Sequence, residues 1–483
     1  MKILKLSMNR YFRFLFVLML LFFWGCDTQK EDTNKKVLTE FDRIDLKEIK
    51  AMGKLRVVTS YNSVDYFIYK GRPIGYQLEL LQELSNYLDL KLDISVSNDV
   101  KNNFDNLLDR KVDLIAMDLT ITRSRANIIA FSEPHCFTRQ VLVQRKQTRK
   151  EKKEPNKVGF NKLIRNQLEL AGKSIYVQEN SSYAERLRSL SNEIGDSINI
   201  IEIPDYEVEQ LIGLVASGEI PYTVCDENLA RVNKNYYDNI DVETPISFPQ
   251  KIAWAMRPES QSLQDVVNKW LIGFKRTTRY KMIYKKYFLN KRSNHLVNNG
   301  FHSLKGGQFS IYDEVIKKES KKFDLDWRLV ASLIYQESRF SPRVESWAGA
   351  VGLMQLMPET AKTFGVRKIT SPKENIVGGL RFLKWLDEQL EDKISDPKER
   401  VKFVLASYNV GLGHVLDAMR LTEKYGKDPT IWDNNVDFYL LNKSKPKYYN
   451  DPVVKYGYCR GEEPYHYVND ILDRYEHYKN VVN

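Results

Sequence analysis

Glu337 closes an apolar stripe. Val330, Leu333 and Ile334 precede it at the spacing that stacks residues on one face of an α-helix. A carboxyl that continues a buried face is stripped of water, which favours its neutral form. A carboxyl still protonated near neutral pH is what general acid catalysis requires. Spacing by itself favours a plainer reading, a glutamate that caps the helix or pairs with a cation. The residues around it decide between the two.

The helix that must carry Glu337 is legible. Downstream of residue 309, amphipathic patterns replace strand-like runs. Ser310-Ile311-Tyr312-Asp313 has the form of a capping box, and Asp326 is placed to cap a helix running from Trp327 toward Glu337. Beyond Glu337-Ser338-Arg339-Phe340 come Ser346 and the run Gly349-Ala350-Val351-Gly352-Leu353-Met354-Gln355-Leu356-Met357-Pro358. Asn375, Ser407-Tyr408-Asn409-Val410-Gly411 and Glu463 with Tyr467-Val468 follow in order. This ordered set resembles the soluble lytic transglycosylase domain, a relative of goose-type lysozyme, over about residues 310–475.

The resemblance implies a mainly α, lysozyme-like domain that cuts the glycan strands of peptidoglycan, with Glu337 as catalytic acid and base. Glu337 would protonate the glycosidic oxygen leaving N-acetylmuramic acid. It would then take the proton of that sugar's C6 hydroxyl as the hydroxyl attacks C1. The product is a 1,6-anhydro ring, and no water is consumed. A retaining hydrolase needs a second carboxylate at ~5 Å, whereas substrate-assisted enzymes do not. The family is thought to use the 2-acetamido group instead, and no acid immediately follows Glu337. Ser346, Gln355, Tyr408, Glu463 and Tyr467 match residues of the substrate groove. Tyr408 is expected to hydrogen-bond near Glu337 or the acetamido group, and Tyr467 to pack beside Glu463. Asn375 and Asn409 are expected to hold loops. Ser407, Pro464 and Val344 depart from the family's usual Ala, Thr and Ala, and none of them is the acid. Trp327, Trp347 and Trp385 are open to two readings, sugar platform or helix core. Two other functions stay in play: a muramidase-type hydrolase, and a sensor or binding lipoprotein with a silent enzyme domain.

The upstream half has a different grammar. Leu55–Thr59 and Leu92–Val96 read as strands, Tyr76–Leu88 as a helix, and a helix at Phe104–Leu108 precedes a strand at Val112–Ala116. This alternation implies an α/β sheet built from βαβ units. The segments at 53–57, 75–80 and 118–125, with Phe131-Ser132-Glu133-Pro134, resemble the periplasmic substrate-binding proteins for polar amino acids over most of 50–290. That resemblance implies two lobes. Lys173–Val177 opens the second, and 141–145 and 247–256 are the crossing strands. It also implies a regulatory ligand site. Arg125, with Thr120 beside it, would hold a ligand carboxylate by a guanidinium fork. Ser181 and Ser182 would open a helix toward that carboxylate. Asp226, after the strand Tyr222–Val224, would take the ammonium. Asn180 stands where that turn often has glycine. The ligand class is an amino acid or a muropeptide. The fold class is therefore multidomain: a bilobal α/β, periplasmic-binding-protein-like domain followed by a mainly α, lysozyme-like domain.

The N-terminus sets the compartment. Lys2, Lys5, Arg10 and Arg13 precede the apolar run Phe14–Trp24, which falls short of the ~20 residues that span a bilayer. Residues 1–25 read as a signal peptide. Phe23-Trp24-Gly25-Cys26 resembles a lipobox, with Phe23 and Trp24 bulkier than usual, and makes Cys26 the lipidation site. The expected layout is a lipidated tether at 26–49, a regulatory domain at 50–290, a linker at 291–308 and the catalytic domain at 309–483. The expected place is the cell envelope, lipid-anchored to the outer membrane and facing the periplasm. A chain of 483 residues with 42% hydrophobic and 28% charged residues has enough apolar side chain for several cores and fits a soluble body. The net charge of +11 suits a polyanionic partner. Export and the lack of a reading motif remove nucleic acid, which leaves a wall carrying peptide carboxylates or a charge that serves only solubility. The basic run Arg145–Lys157 reads as a solvated loop. Cys136, Cys225 and Cys459 show no metal-ligand spacing and no disulfide framework. No metal and no cofactor is expected.

Overall fold

Leu55, Leu114 and Ile115 are fully buried, and so are Val141, Leu142 and Val143. Strands this apolar on both faces belong inside sheets covered by helices. The computed structural model describes residues 44–146, 162–204, 206–289 and 308–482. The leader with Cys26, most of the tether, most of the basic run and the linker up to residue 307 lie outside these residues.

Two sheets share one plan. The first runs in the order Lys91–Val96, Lys54–Thr59, Leu114–Thr120, Gln250–Met256, Ala130–Phe131, and Cys136–Thr138 also pairs with Gln250–Met256. Its first three strands are parallel, and Gln250–Met256 returns antiparallel. The second sheet runs Asn199–Ile203, Ser174–Gln178, Tyr222–Asp226, Gln140–Arg145, Ile240–Pro245. It too has three parallel strands before an antiparallel one. The chain therefore changes lobe between Thr138 and Gln140 and again between Pro245 and Gln250. The strands expected to cross each stay within one sheet, and the residues just before them make the crossing.

Local signals explain most elements. The helix Tyr76–Leu88 buries Leu80, Leu81, Leu84 and Leu88 along one face and stops at Asp89 in the left-handed region. The strand expected from Val112 begins at Leu114. Before it, Asp113 is fully buried and paired with Arg56 and Arg257. The tether ends sooner than expected. Leu46–Met52 is a helix with a complete capping box from Asp45 and Glu48, and Ile49 is fully buried.

From Phe309 onward the fold is helical. Asp326 caps Trp327–Ser338 by accepting from Arg328 N at 2.9 Å. The box at Ser310 forms by half. Asp313 accepts from Ser310 N at 2.9 Å, while Ser310 Oγ accepts from Tyr312 N at 3.1 Å and leaves the Asp313 amide alone. Val330, Leu333 and Ile334 enter one core with Leu380, Phe403, Leu405, Val468 and Ile471. That core joins Trp327–Ser338 to Pro372–Glu391, Pro397–Val410 and Glu462–Lys479.

The two halves meet at a tight seam. A hairpin of the first lobe, Phe67–Tyr69 with Arg72–Ile74, reaches the helical half. Ile68 is fully buried within the helical core. The Tyr66 hydroxyl is hydrogen-bonded to His477 Nδ1 at 2.7 Å, and the Tyr478 hydroxyl donates to Gly71 O at 2.6 Å. Gly71 has φ +77°, and a Cβ there would come within 2.7 Å of Phe340, Tyr335 and Tyr478. Gly53 is also left-handed, at φ +69°, but has open space around it. Gly71→Ala is expected to destabilise the protein by about 2–4 kcal/mol, from backbone strain plus overpacking. Gly53→Ala should cost only the strain, about 1–2 kcal/mol. Differential scanning calorimetry of the two variants checks the difference.

Candidate active site

Glu337 sits in the last turn of Trp327–Ser338, and the chain leaves that helix abruptly. Arg339 and Phe340 are both left-handed, with φ 50° and 62°. Two such residues in a row are uncommon without glycine. The reversal takes the chain away behind Glu337, so no further helical turn covers the carboxyl. Ser338 Oγ donates to Leu353 O at 2.8 Å and ties the helix end to the following loop.

That loop is braced from inside. Gln355, left-handed at φ 46°, donates to Val344 O at 3.0 Å and to Gly352 O at 2.9 Å. Ser346 Oγ accepts from Ala350 N at 3.0 Å. Asn375 accepts from Met354 N at 2.8 Å and donates to Val351 O at 3.0 Å and Ile369 O at 2.9 Å, the loop-holding work expected of it. Ser346 and Gln355 thus follow Glu337 on one braced loop, with these polar atoms engaged by the loop itself.

Tyr408 makes its hydrogen bond near Glu337 but not to the carboxyl itself. Its hydroxyl donates to Met354 O at 2.7 Å. The partner of Glu337 is Tyr467, whose hydroxyl donates to Oε1. Tyr467 lies one turn beyond Glu463 on the helix Glu462–Lys479, so both face the same region. The sequence carried that spacing, but nothing in it pointed the tyrosine at the acid. Burial pushes the Glu337 carboxyl up to about 7, the nearby charge of Glu463 adds to this, and the Tyr467 hydrogen bond opposes both. Burial, reinforced by the charge of Glu337, holds the Tyr467 and Tyr408 phenols well above their usual range. Both remain donors at any physiological pH.

The tryptophans divide. Trp347 is fully exposed on the loop after Ser346. Trp327 stacks on Phe309 at 5.3 Å, and Trp385 stacks on Phe382 at 6.1 Å. Ser407, where alanine is usual, is fully buried and its hydroxyl has no hydrogen-bond partner. Such a group destabilises the site it occupies.

A second concave site lies between the two α/β lobes, a cleft of about 790 Å³ lined by Arg125, Ser181 and Asp226 among others. The lobes touch across it, since Ser63 N donates to Glu209 at 3.2 Å. Thr120 is buried, and its carbonyl accepts from Arg125 Nη1 at 3.3 Å. Ser181 donates to Gln178 O at 2.6 Å inside a turn whose Asn180 is left-handed at φ 58°, which asparagine tolerates. Asp226 accepts from the Tyr183 hydroxyl at 2.9 Å, and burial pushes its carboxyl up to about 7. Cys136, Cys225 and Cys459 are free and buried, with thiols pushed up by burial. Asp118, His135 and Cys136 bring ligand-type atoms within 4.8 Å of one another. Asp118 and His135 already meet Gln77 Nε2, at 2.8 and 3.4 Å, which makes the group a core network.

Residues 314–431 match the family model of the transglycosylase SLT domain, and residues 55–290 match bacterial extracellular solute-binding proteins, family 3. The membrane-bound lytic murein transglycosylase F of Desulfosudis oleivorans is 32% identical over 430 residues, 89% of this chain and 90% of the relative. The chain belongs to that family. Relatives of the same name from Saccharophagus degradans and Pseudomonas fluorescens are each 31% identical, covering 88% and 89% of this chain and 82% and 86% of their own. Glu337, Ser346, Gln355 and Tyr408 fall inside the SLT match, while Glu463 and Tyr467 lie beyond its end at residue 431.

The electrostatics give a signed expectation. Glu337 titrates near 7 in the fold against an ordinary value of 4.5, so the folded state holds its proton longer than the unfolded chain. Its contribution to stability therefore falls as pH rises from about 4.5 to 7. Glu337→Gln should unfold at the wild-type temperature near pH 4 and at a higher one at pH 8, by about 1–3 kcal/mol. Thermal melts at the two pH values check this.

Proposed function

We propose that this chain is a peptidoglycan lytic transglycosylase in which Glu337 serves in turn as acid and base. The bond broken is the β-1,4 link from N-acetylmuramic acid to N-acetylglucosamine. Glu337 delivers its proton to the leaving glycosidic oxygen, and its carboxylate then accepts the C6 hydroxyl proton as O6 bonds to C1. The 1,6-anhydro product forms without water, and Glu337 ends protonated as it began. The observation that carries this reading is a part-buried carboxyl in the last turn of its helix, held by the Tyr467 hydroxyl and pushed up by burial to about 7, able both to give and to take a proton. Tyr467 holds it in place through Oε1. Ser346, Gln355 and Tyr408 shape the groove by fixing the loop behind it, and Glu463 adds its charge at the rim.

A hydrolytic reading draws on one observation, the charge of Glu463 felt at Glu337. A second carboxylate could activate water there. The two readings differ in product.

The α/β half is read as a ligand-sensing domain in which Arg125 takes a ligand carboxylate and Asp226 its ammonium. Thr120 and Ser181 support the turns around them. The seam at Tyr66 and Gly71 would pass a change in lobe position to the helical half. The chain is envelope-associated, and among the described residues no helix is long and apolar enough to cross a membrane. We assign anchoring to a lipid on Cys26, with the protein on the periplasmic face of the outer membrane. The domain limits follow from the same reading: a leader to 25, a tether to about 43, the regulatory domain to about 290 and the catalytic domain from 309.

Purified peptidoglycan digested with the protein should yield anhydro-muropeptides by mass spectrometry. Glu337→Gln should slow their release by about 10²–10⁴-fold, the usual contribution of a general acid and base. Reducing-end products would establish a hydrolase instead, and no products at all would leave a binding protein.

A further inference from the structure

Trp347 is the most exposed large apolar side chain among the described residues. Single apolar side chains are ordinary on a surface. What sets this one apart is how firmly it is held. Trp347 is the second residue of a tight turn closed by Gly349 N, which donates to Ser346 O at 2.9 Å. Ser346 N donates to Ala350 O at 2.9 Å, and Ser346 Oγ accepts from Ala350 N at 3.0 Å. Lower on the same hairpin, Gly352 N donates to Val344 O at 3.1 Å, and the Gln355 amide clasps both of those carbonyls. The turn carries its rigid indole in one place, so little freedom is lost when something flat settles on the ring.

The foot of this hairpin is fastened beside the catalytic acid. Ser338, next to Glu337 in the chain, donates to Leu353 O at 2.8 Å, and Leu353 follows Gly352. Tyr408 grips the next carbonyl, Met354 O, at 2.7 Å. From the pair Val344 and Gly352 to the pair Ser346 and Ala350 the hairpin climbs two residues on each arm, about 7 Å of extended chain. The indole therefore stands close to Glu337 on a part of the loop that cannot swing away. Its neighbours are polar, since Arg343 and Glu345 on the same arm are both exposed. A flat apolar face beside charged hydrogen-bonding groups suits a pyranose, with its C–H face and its hydroxyls. A lipid or an apolar protein surface would have to strip those charges of water.

We propose that Trp347 is a stacking platform for a pyranose ring of the glycan strand, beside the two sugars joined at the bond that is cut. The indole takes the C–H face of the ring, and Glu345 and Arg343 meet polar groups at its edge. Trp347 touches no reacting atom. It binds ground state and transition state alike, so it acts on KM and leaves kcat alone. Because the turn is braced against the end of the Glu337 helix, a ring stacked there also sets where along the strand the cut falls. A strand too short to reach the indole gains nothing from it. This inference rests on the reading of the chain as an enzyme of glycan strands.

Binding is read apart from cleavage by placing each change in the Glu337→Gln chain, full length in detergent, and titrating peptide-free glycan strands of graded length by calorimetry. Trp347→Ala should weaken long strands by about 3–10-fold and leave the shortest unchanged. Trp347→Phe keeps a flat ring and should restore most of the affinity, whereas Trp347→Leu keeps apolar bulk without the flat face and should not. With Glu337 intact, Trp347→Ala should raise KM for peptidoglycan by a similar factor at unchanged kcat, and the melting temperature should stay where it is. Equal strand binding by Trp347→Ala, or full affinity in Trp347→Leu, would overturn the platform and leave the cleavage reading standing. So would a Trp347→Ala chain that keeps its glycan affinity but loses binding to phosphatidylethanolamine–phosphatidylglycerol vesicles, which would make the indole a membrane contact. A Glu337→Gln parent that binds no strand of any length would overturn the glycan reading together with the platform.

Discussion

The whole arrangement depends on shielding one carboxyl from most of the water around it without losing its hydrogen bond. A fully solvated Glu337 would be ionised and useless as an acid. A fully dehydrated one without a donor would hold its proton too tightly to return as a base. Burial among packed helices pushes it one way, and the Tyr467 hydroxyl draws it back. That balance needs two helices far apart in sequence, Trp327–Ser338 and Glu462–Lys479, to be fixed within hydrogen-bond reach. Ile471 and Val468 on one and Leu333 and Ile334 on the other supply the packing that fixes them.

The same C-terminal helix has a second duty at its other end. Tyr467 meets Glu337 near its start, and His477 and Tyr478 near its finish meet Tyr66 and Gly71 of the α/β half. Tyr66 is next to Asp65, which faces the ligand cleft. One element therefore links the catalytic carboxyl to a residue adjoining the cleft between the lobes. A helix of 18 residues transmits a tilt along its length more faithfully than a loop would, which gives the sensing role a physical route.

Much of this could be read from residue order, and the gaps have physical causes. Apolar periodicity located Tyr76–Leu88, Lys54–Thr59 and the helix of Glu337 because those elements bury one face or both. The acid itself stood out because a charge at the end of an apolar stripe demands an explanation. Partner assignment was harder. Tyr408 and Tyr467 are both phenols in family-like motifs, and only the packing of Pro397–Val410 against the Leu353–Gln355 loop decides that Tyr408 bonds a carbonyl. The tether expected to 49 overlaps the helix Leu46–Met52, whose polar composition masks it and whose single fully buried residue is Ile49. The acidic lining of the cleft was out of reach for a similar reason. Asp65, Asp118 and Asp226 are scattered along the chain, and only the facing of the two lobes brings them to one cleft.

Ile68 occupies the core of a domain to which it does not belong in sequence. Cutting the chain in the linker would therefore not yield two self-sufficient pieces. The helical half would keep an apolar socket open to water, and the hairpin would display the plug. Natural enzymes built by fusing two modules usually stay separable, with a joint that can be shuffled, shortened or lost. Here the joint has become part of an interior, so any lineage that discards the α/β half must first refill that socket.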